Sequence, residues 1–353
     1  MAYQRFLIIN SYGIGDVLFT IPMIKNIRAN IPEAFIGYVA NRRTAPLLQN
    51  LPDVNKVTIY DRDEFKSVSD RSKAKYWQLL KTTGKDIRDA KYDVCFDLSM
   101  TGYASFYCCL AGIKNRVGLN YKNRSPFLTT KVPLRGFEGR HVVEYYLDLL
   151  RAINFDVRPQ TMEIAISAAQ KAWAREFVKQ EKFIAVFPGG GESWGNDAKF
   201  KRWPADKYAE LITKITGDFK VEIVLMGNQK EESLCKEIQS LVKCRLFNAC
   251  GQTDLLQTLG VLNQSVLAVV NDGGPLHMAV AAGTPTVSVF GPVDENVYGP
   301  YYSAGHRQHR VVTSSIACRP CYRNFRRAAC EHISCIKDVE VEKVFSAVSH
   351  LLM

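Results

Sequence analysis

The sequence predicts an α/β protein of two successive doubly wound domains, and three observations predict it. Short unbroken apolar runs alternate with amphipathic stretches along the whole chain. Many of the runs end in glycine-bearing turns. The alternation stops once, at the polar, turn-rich stretch Asn154–Pro159, and then starts again. Unbroken apolar runs read as strands buried on both faces of a parallel sheet, with the amphipathic stretches as crossover helices. A length of 353 residues suits two domains rather than one.

In the first series, Phe6–Asn10 is an apolar run that ends in Ser11-Tyr12-Gly13, a strand followed by a turn. A helix is predicted from about Gly15 to Asn30, with Val17, Leu18, Ile21, Ile24 and Ile27 at helical spacing. Phe35–Val39, Val57–Tyr60 and Val94–Leu98 read as strands, Ser72–Ala90 as a helix, and His141–Ile153 as an amphipathic helix. In the second series the predicted strands are Phe183–Phe187, Val221–Met226, Val266–Val270 and Thr286–Phe290. Helices are predicted at Ala205–Ile215, Glu231–Val242, Thr253–Leu262 with Thr253 as N-cap, Leu276–Ala282 and Val339–Leu352. The expected division is residues 1–155 with the terminal helix 338–353, and 160–337.

Composition narrows the function. An apolar fraction of 47% and a charged fraction of 23% exclude disorder and fibrous repeats. No apolar run reaches the roughly 18 residues of a membrane-spanning helix, and the start has no signal-peptide layout. A cytoplasmic location with reduced thiols is therefore expected. The formal charge of +11 points to an acidic partner: nucleic acid, anionic lipid or a phosphorylated small substrate. The charge is concentrated, with seven basic residues and one acid, Glu138, between Gly112 and Arg140, and six arginines and no acid between Asn296 and Cys330. Neither stretch carries the motif of a common nucleic-acid module, so no nucleic-acid partner is expected.

Ligands of open parallel sheets bind beyond the carboxyl ends of the strands. At the first such end, Ser11-Tyr12-Gly13-Ile14-Gly15-Asp16 places a carboxylate at a helix start. Asp16 there is either a capping acid favoured by the helix dipole or a general base. Pro188-Gly189-Gly190-Gly191, followed by Lys201-Arg202-Trp203-Pro204, offers backbone N–H groups and a cation to a diphosphate, or else is a plain loop before a helix. Met226 and Gly227 end the next strand. Asn271-Asp272-Gly273-Gly274-Pro275-Leu276-His277 opens a helix N-terminus to a phosphate; Asp272 suits ribose hydroxyls, and His277, within the helix, reads by itself as a core histidine. Cys318, Cys321, Cys330 and Cys335 have spacing compatible with a structural zinc or iron, or are packed free thiols.

Taken together, the motifs resemble the bacterial lipopolysaccharide heptosyltransferase family. The likeness rests on Gly15-Asp16-Val17-Leu18 with Thr20 and Pro22, on His141-Val142-Val143 with Tyr146-Leu147, and on Lys201-Arg202-Trp203-Pro204. It continues through Asp272–His277, Ala281-Ala282-Gly283-Thr284-Pro285 and Phe290-Gly291-Pro292, and the cysteine cluster is similar to one found in many members. The resemblance implies a GT-B fold, two Rossmann-like domains facing across a cleft with the last helix crossing back to the first domain. It implies inverting transfer of heptose from ADP-L-glycero-D-manno-heptose to a hydroxyl of the anionic lipopolysaccharide inner core, with no catalytic metal, at the inner face of the cytoplasmic membrane as a peripheral protein. Asp16 is then the expected base and Lys201 the group that stabilises the leaving diphosphate. Gly189, Gly190, Gly191, Met226, Gly227, Asp272, Gly273, Gly274 and His277 are expected to hold the nucleotide sugar. Gly15, Arg116, Lys122, Arg124, Arg140 and His141 are expected on the acceptor side. Two alternatives stay open: a protein O-heptosyltransferase, for which the cysteines would hold metal, and a non-catalytic nucleotide- or glycan-binding module.

Overall fold

The computed structural model describes residues 3–61, 67, 68, 70–191, 194–301 and 308–353, without the side chains of 76, 77, 80 and 196. They form two compact units, Met1–Thr161 and Met162–Met353.

In chain order the first unit contains β1 (Arg5–Ile9), α1 (Ile14–Leu18), α2 (Ile21–Asn30), β2 (Phe35–Ala40), α3 (Ala45–Gln49), β3 (Lys56–Ile59), α4 (Lys73–Asp89), β4 (Val94–Asp97), α5 (Gly102–Leu110), β5 (Asn115–Tyr121), β6 (Thr130–Leu134) and α6 (Val142–Arg151). Its six strands pair in the order β3-β2-β1-β4-β5-β6, all parallel. The helix expected over Gly15–Asn30 is two helices, because Pro22 near the start of α2 has no N–H to continue the α1 ladder. The segment leaving the unit is strapped to α2: Asn26 Nδ2 donates to the Arg158 carbonyl (3.0 Å), Arg158 N to Asn26 Oδ1 (2.8 Å), and Lys25 Nζ to the Thr161 carbonyl (3.0 Å). That strap carries the first unit past the polar turn to Thr161.

The second unit contains α7 (Ala168–Val178), β7 (Phe183–Phe187), α8 (Ala205–Asp218), β8 (Glu222–Leu225), α9 (Glu232–Leu241), β9 (Phe247–Asn248), α10 (Leu255–Gln264), β10 (Leu267–Asn271), α11 (Gly274–Ala281), β11 (Thr286–Phe290), α12 (Glu295–Tyr298), β12 (His309–Thr313), the short hairpin β13 (Tyr322–Arg323) and β14 (Arg326–Arg327), α13 (Ser334–Lys337) and α14 (Val341–Leu352). A 3₁₀ stretch, Gly195–Lys201, precedes α8, and another, Gln229–Glu231, precedes α9. The main sheet has the order β12-β11-β10-β7-β8-β9. Counted within each unit the two sheets share one topology, so each has its strand order reverse between its first and fourth strands. In sheets of this topology that point, at the carboxyl edge, is where the ligand crevice lies.

One expectation needs correction. The N-cap of α10 is Asp254, not Thr253: its carboxylate accepts from Gln257 N (2.8 Å), and Gln257 Oε1 accepts from Asp254 N (2.9 Å). The terminal helix is packed on α8. Val341, Val344 and Val348 form one stripe on α14 and are buried in the same core as Leu211, Ile212 and Ile215 of α8. Lys207 Nζ, also on α8, donates to the Val339 carbonyl just before α14 (2.9 Å).

The strand β4 ends the apolar run Val94-Cys95-Phe96 on a carboxylate. Asp97 is 1% exposed, and burial pushes its pKa from the ordinary 3.8 up to about 6. Its Oδ1 accepts from Ser99 N (2.9 Å) and Ser99 Oγ (2.6 Å), which turns the chain into α5. A carboxyl with a raised folded-state pKa keeps its proton longer in the folded protein than in the unfolded chain. The folded state therefore binds more protons between about pH 4 and 6, and stability falls as pH rises through that window. Asp97→Asn should remove this component: its unfolding free energy relative to wild type should rise between pH 4 and 6 by on the order of 1–3 kcal/mol and stay level above pH 7. Urea titrations across that range test it; an offset constant with pH contradicts it.

Candidate active site

In the first unit the carboxyl ends of β1 and β4 flank the crevice. Asn10 follows β1 and is fully buried. Its Nδ2 donates to the Asp16 carbonyl (3.0 Å) and its Oδ1 accepts from Tyr12 N (3.2 Å), so one side chain sets both ends of the turn. Asn41, after β2, donates to the Ser11 and Tyr12 carbonyls (3.0 and 2.6 Å). The Tyr12 hydroxyl donates to the Ser99 carbonyl and ties this turn to the β4 loop. Asp16 is half-buried, and its Oδ2 accepts from Gly13 N (3.1 Å) as a helix cap. Capping engages one carboxylate oxygen directly, so the capping and base readings are compatible: the cap fixes the orientation of a carboxylate held at the crevice.

The acceptor-side residues separate into groups. His141 caps α6, its Nδ1 accepting from Val143 N (3.2 Å), and its ring stands edge-on to Phe19 with centroids 4.9 Å apart. Phe19 N in turn donates to the Gly15 carbonyl (2.9 Å), so His141, Gly15 and Asp16 share one neighbourhood. Lys122 and Arg124 are exposed in the turn after β5, on the same sheet edge, and an added Cβ on Gly102 at the start of α5 would lie 2.6 Å from the Arg124 carbonyl. Arg140 is held by Asp148, with its guanidinium 4.1 Å from the Tyr145 ring centroid. Arg116 is not brought to this edge. It is the second residue of β5, at the amino edge, where its guanidinium donates to the carbonyls of Phe127 (2.6 Å), Lys114 (3.1 Å) and Ile113.

In the second unit the crevice lies between the loops after β7 and β10. Asn271 Nδ2 donates to the carbonyls of Pro188 (2.8 Å) and Gly189 (3.1 Å), and its Oδ1 accepts from Trp203 N (3.3 Å). Trp203 is buried and donates its indole N–H to the Val339 carbonyl (3.0 Å). This framework places Lys201 Nζ 2.8 Å from Asp272 Oδ2, with both side chains under 8% exposed. The ammonium also lies 4.1 Å from the Trp194 ring centroid. Gly273 and Gly274 open α11 directly after Asp272, and His277 is buried in its first turn. An added Cβ on Gly191, which has a left-handed φ of +70°, would lie 3.7 Å from Gly274 N, so the two glycine loops meet.

Gly189 also has a packing role. Its missing side chain makes room for buried Glu231: a Cβ there would fall 1.8 Å from Glu231 Oε1. Glu231 Oε2 accepts from Asn228 N (3.1 Å), just after Gly227, so this carboxylate shapes the floor next to buried Met226 and Gly227. Asn228-Gln229-Lys230-Glu231 is a capping-box pattern that could have located it in the sequence. Asn10, Asp97, Trp194 and Asn271 were also outside the expected site. Each is a framework residue that touches its partners only after folding.

The cysteines that suggested a metal are all free. Burial, then the neighbouring Cys321, Cys318 and Cys330, pushes the Cys335 thiol up to about 11. Yet among the described residues no three His, Cys, Asp or Glu side chains converge on a position that would hold a metal ion. The arrangement does not fit a structural zinc or iron. The loop is held by protein contacts instead. Cys321 N and Tyr322 N donate to the Pro292 carbonyl (3.0 and 2.9 Å), and Tyr322 packs on Trp194 with centroids 4.8 Å apart. The Arg327 guanidinium sits 3.6 Å from the Phe200 ring centroid.

One half of this chemistry is a carboxylate oriented at a crevice. The other is a buried ammonium–carboxylate pair beside a helix N-terminus, suited to an anion with hydroxyls attached. Comparison with known proteins gives the family. Lipopolysaccharide heptosyltransferase 2 of Escherichia coli K12 is 24% identical over 99% of this chain and 99% of its own length, and lipopolysaccharide heptosyltransferase 3 of E. coli is 25% identical over 81% and 83%. The structure of E. coli ADP-heptose lps heptosyltransferase II superposes with a TM-score of 0.78 at 21% identity, covering 99% of this chain and 98% of that one. A glycosyl transferase family 9 structure from Veillonella parvula gives 0.82 at 21% identity, covering 100% and 98%. Those two likenesses concern the fold, which is that of the GT-B heptosyltransferase structures. The sequence itself matches glycosyltransferase family 9 (heptosyltransferase) over residues 81–331, a span that takes in β4, the Lys201 loop and the Asp272 turn. The chain belongs to that family and is a glycosyltransferase.

Proposed function

We propose that the protein transfers heptose from ADP-heptose to a hydroxyl of the lipopolysaccharide core, with inversion and without a catalytic metal. The observation that carries the reading is the Lys201–Asp272 pair, buried at the switch point of the second sheet and followed at once by the Gly273-Gly274 opening of α11. An ammonium has three N–H donors. Asp272 pairs with its charge, and its N–H donors are there to meet oxygens of a diphosphate and its sugar. As the glycosidic bond to ADP breaks, negative charge grows on the diphosphate, and a fixed cation beside a helix N-terminus stabilises that charge. Asp272 orients the donor, while Gly189, Gly190, Gly191, Met226, Gly227 and His277 line its place. Asp16 takes the proton of the acceptor hydroxyl as it attacks the opposite face of the sugar carbon. Gly15, His141, Lys122 and Arg124 then meet the phosphates and sugar acids of the core. Arg140 belongs to the rim through its Asp148 pair, and Arg116 supports β5 and β6. The names of the relatives, lipopolysaccharide heptosyltransferases 2 and 3, support the donor and acceptor classes. Among the described residues no helix is long and apolar enough to cross a membrane. We place the protein on the cytoplasmic face, peripheral to the membrane that carries its acceptor.

Asp16→Asn keeps a capping oxygen but removes the base. Its kcat should fall by about 10²–10⁴ with little change in ADP affinity. ADP release from ADP-heptose in the presence of a lipopolysaccharide-core acceptor reads the first, and calorimetry the second. Turnover at the wild-type rate would assign the base elsewhere.

A further inference from the structure

The first unit carries an apolar surface that its own core does not use. Tyr103, Tyr107 and Leu110 are 75%, 38% and 58% exposed. They lie three and four residues apart, so they share one face of α5. The opposite face, with Ser105 and Cys108, is the buried one. Phe127, 39% exposed, extends the patch through its contact with Phe106, their ring centroids 4.9 Å apart. These are most of the exposed large hydrophobic side chains among the described residues.

Basic residues surround this face. Exposed Arg124 packs its backbone against Gly102, one residue before Tyr103, and exposed Lys122 is in the same turn. Arg116 Nε donates to the Phe127 carbonyl (2.6 Å). Beyond Leu110, Ala111 and Gly112 line a cavity of about 680 Å³ whose charged walls are Arg88, Lys91 and Lys114 with Asp93. Asp93 is committed within the unit, its Oδ2 accepting from Gln4 N and Arg5 N (2.8 Å each). The net character is a hydrophobic centre with aromatic hydroxyls and a cationic border.

We propose that this face, Tyr103, Tyr107, Leu110 and Phe127 with Arg88, Lys91 and Lys114 at its border, docks the protein on an anionic phospholipid bilayer. The tyrosine rings suit the headgroup level, the leucine and phenylalanine reach the acyl boundary, and the cations meet lipid phosphates. Charge argues against a second copy of the chain as the occupant, since a two-fold contact would bring the same basic border against itself. The proposal deepens the functional reading, in which a lipid-borne acceptor draws the protein to a membrane. Vesicle binding is read without donor or acceptor, so either idea can fail alone.

The test is co-sedimentation with vesicles of phosphatidylethanolamine and phosphatidylglycerol, against vesicles of phosphatidylcholine alone. Wild type should bind the anionic vesicles preferentially, and sodium chloride should weaken the binding. Tyr103→Ser/Leu110→Ser should reduce binding by about tenfold or more while leaving circular dichroism and transfer to a delipidated soluble acceptor unchanged. Equal partition onto both vesicle types, or anionic binding that the double variant leaves intact, overturns the proposal. So does a wild-type dimer in sedimentation that the double variant dissolves without any vesicle binding, because the face would then be a contact between copies.

Discussion

The ion pair between Lys201 and Asp272 is the constraint around which the second unit is arranged. Two charges under 8% exposed lose most of their hydration, and a buried pair often adds nothing to stability beyond what apolar residues of the same size would give. Removing one partner is another matter, because it strands a charge in the interior. The surroundings reflect that demand. Asn271 pins the β7 loop and the Lys201 loop with one side chain, Trp203 anchors the latter to the segment before α14, and Trp194 covers the ammonium. The hairpin carrying the cysteines presses on the same loop through Tyr322 and Arg327. A cost in stability at a crevice, met by this much framework, is the signature of a site kept for binding.

Both units use one sheet topology, and their chemistry differs only in what the loops at the switch point carry. In the first unit those loops end in carboxylates and amides: Asp16 as a cap, Asp97 buried with a raised pKa, Asn10 and Asn41 bracing the turn. In the second they end in glycines, Asn271, the Lys201–Asp272 pair and an open helix start. A shared scaffold with different local chemistry is a natural way to divide proton removal from the stabilisation of a departing diphosphate, and it is this division that the transferase reading uses.

Much of this was legible in the sequence, for physical reasons that differ from place to place. Phe183–Phe187 and Val266–Val270 announced themselves because strands buried on both faces have no polar positions to hide the pattern. β5 and β6 did not, since Asn115-Arg116-Val117-Gly118 and Thr130-Lys131-Val132-Pro133 mix charged and apolar residues near the edge of a sheet. The valine stripe of α14 showed that one face is buried but not against which unit, because periodicity carries no address. Arg116 counted toward a basic stretch, yet a count cannot say at which edge of a sheet a side chain lies. Cysteine spacing suggested a metal, but spacing along the chain does not fix how thiols meet in space, and among the described residues no three donors form a metal-holding group. Asp272 drew attention because it closely follows the apolar run Val266–Val270, and Asp16 and Lys201 because they lie in the glycine-bearing stretches that follow Phe6–Ile9 and Phe183–Phe187.

The most direct test of the central claim compares ADP with adenosine by calorimetry, on wild type and on Lys201→Met/Asp272→Asn, a pair of changes that removes both buried charges together. The account predicts that ADP binding weakens by about tenfold or more, the loss of at least one charge-assisted contact, while adenosine binds both proteins alike. An equal loss for the two ligands would mean that the pair only shapes the nucleoside pocket, and no loss for either would remove Lys201 from the diphosphate.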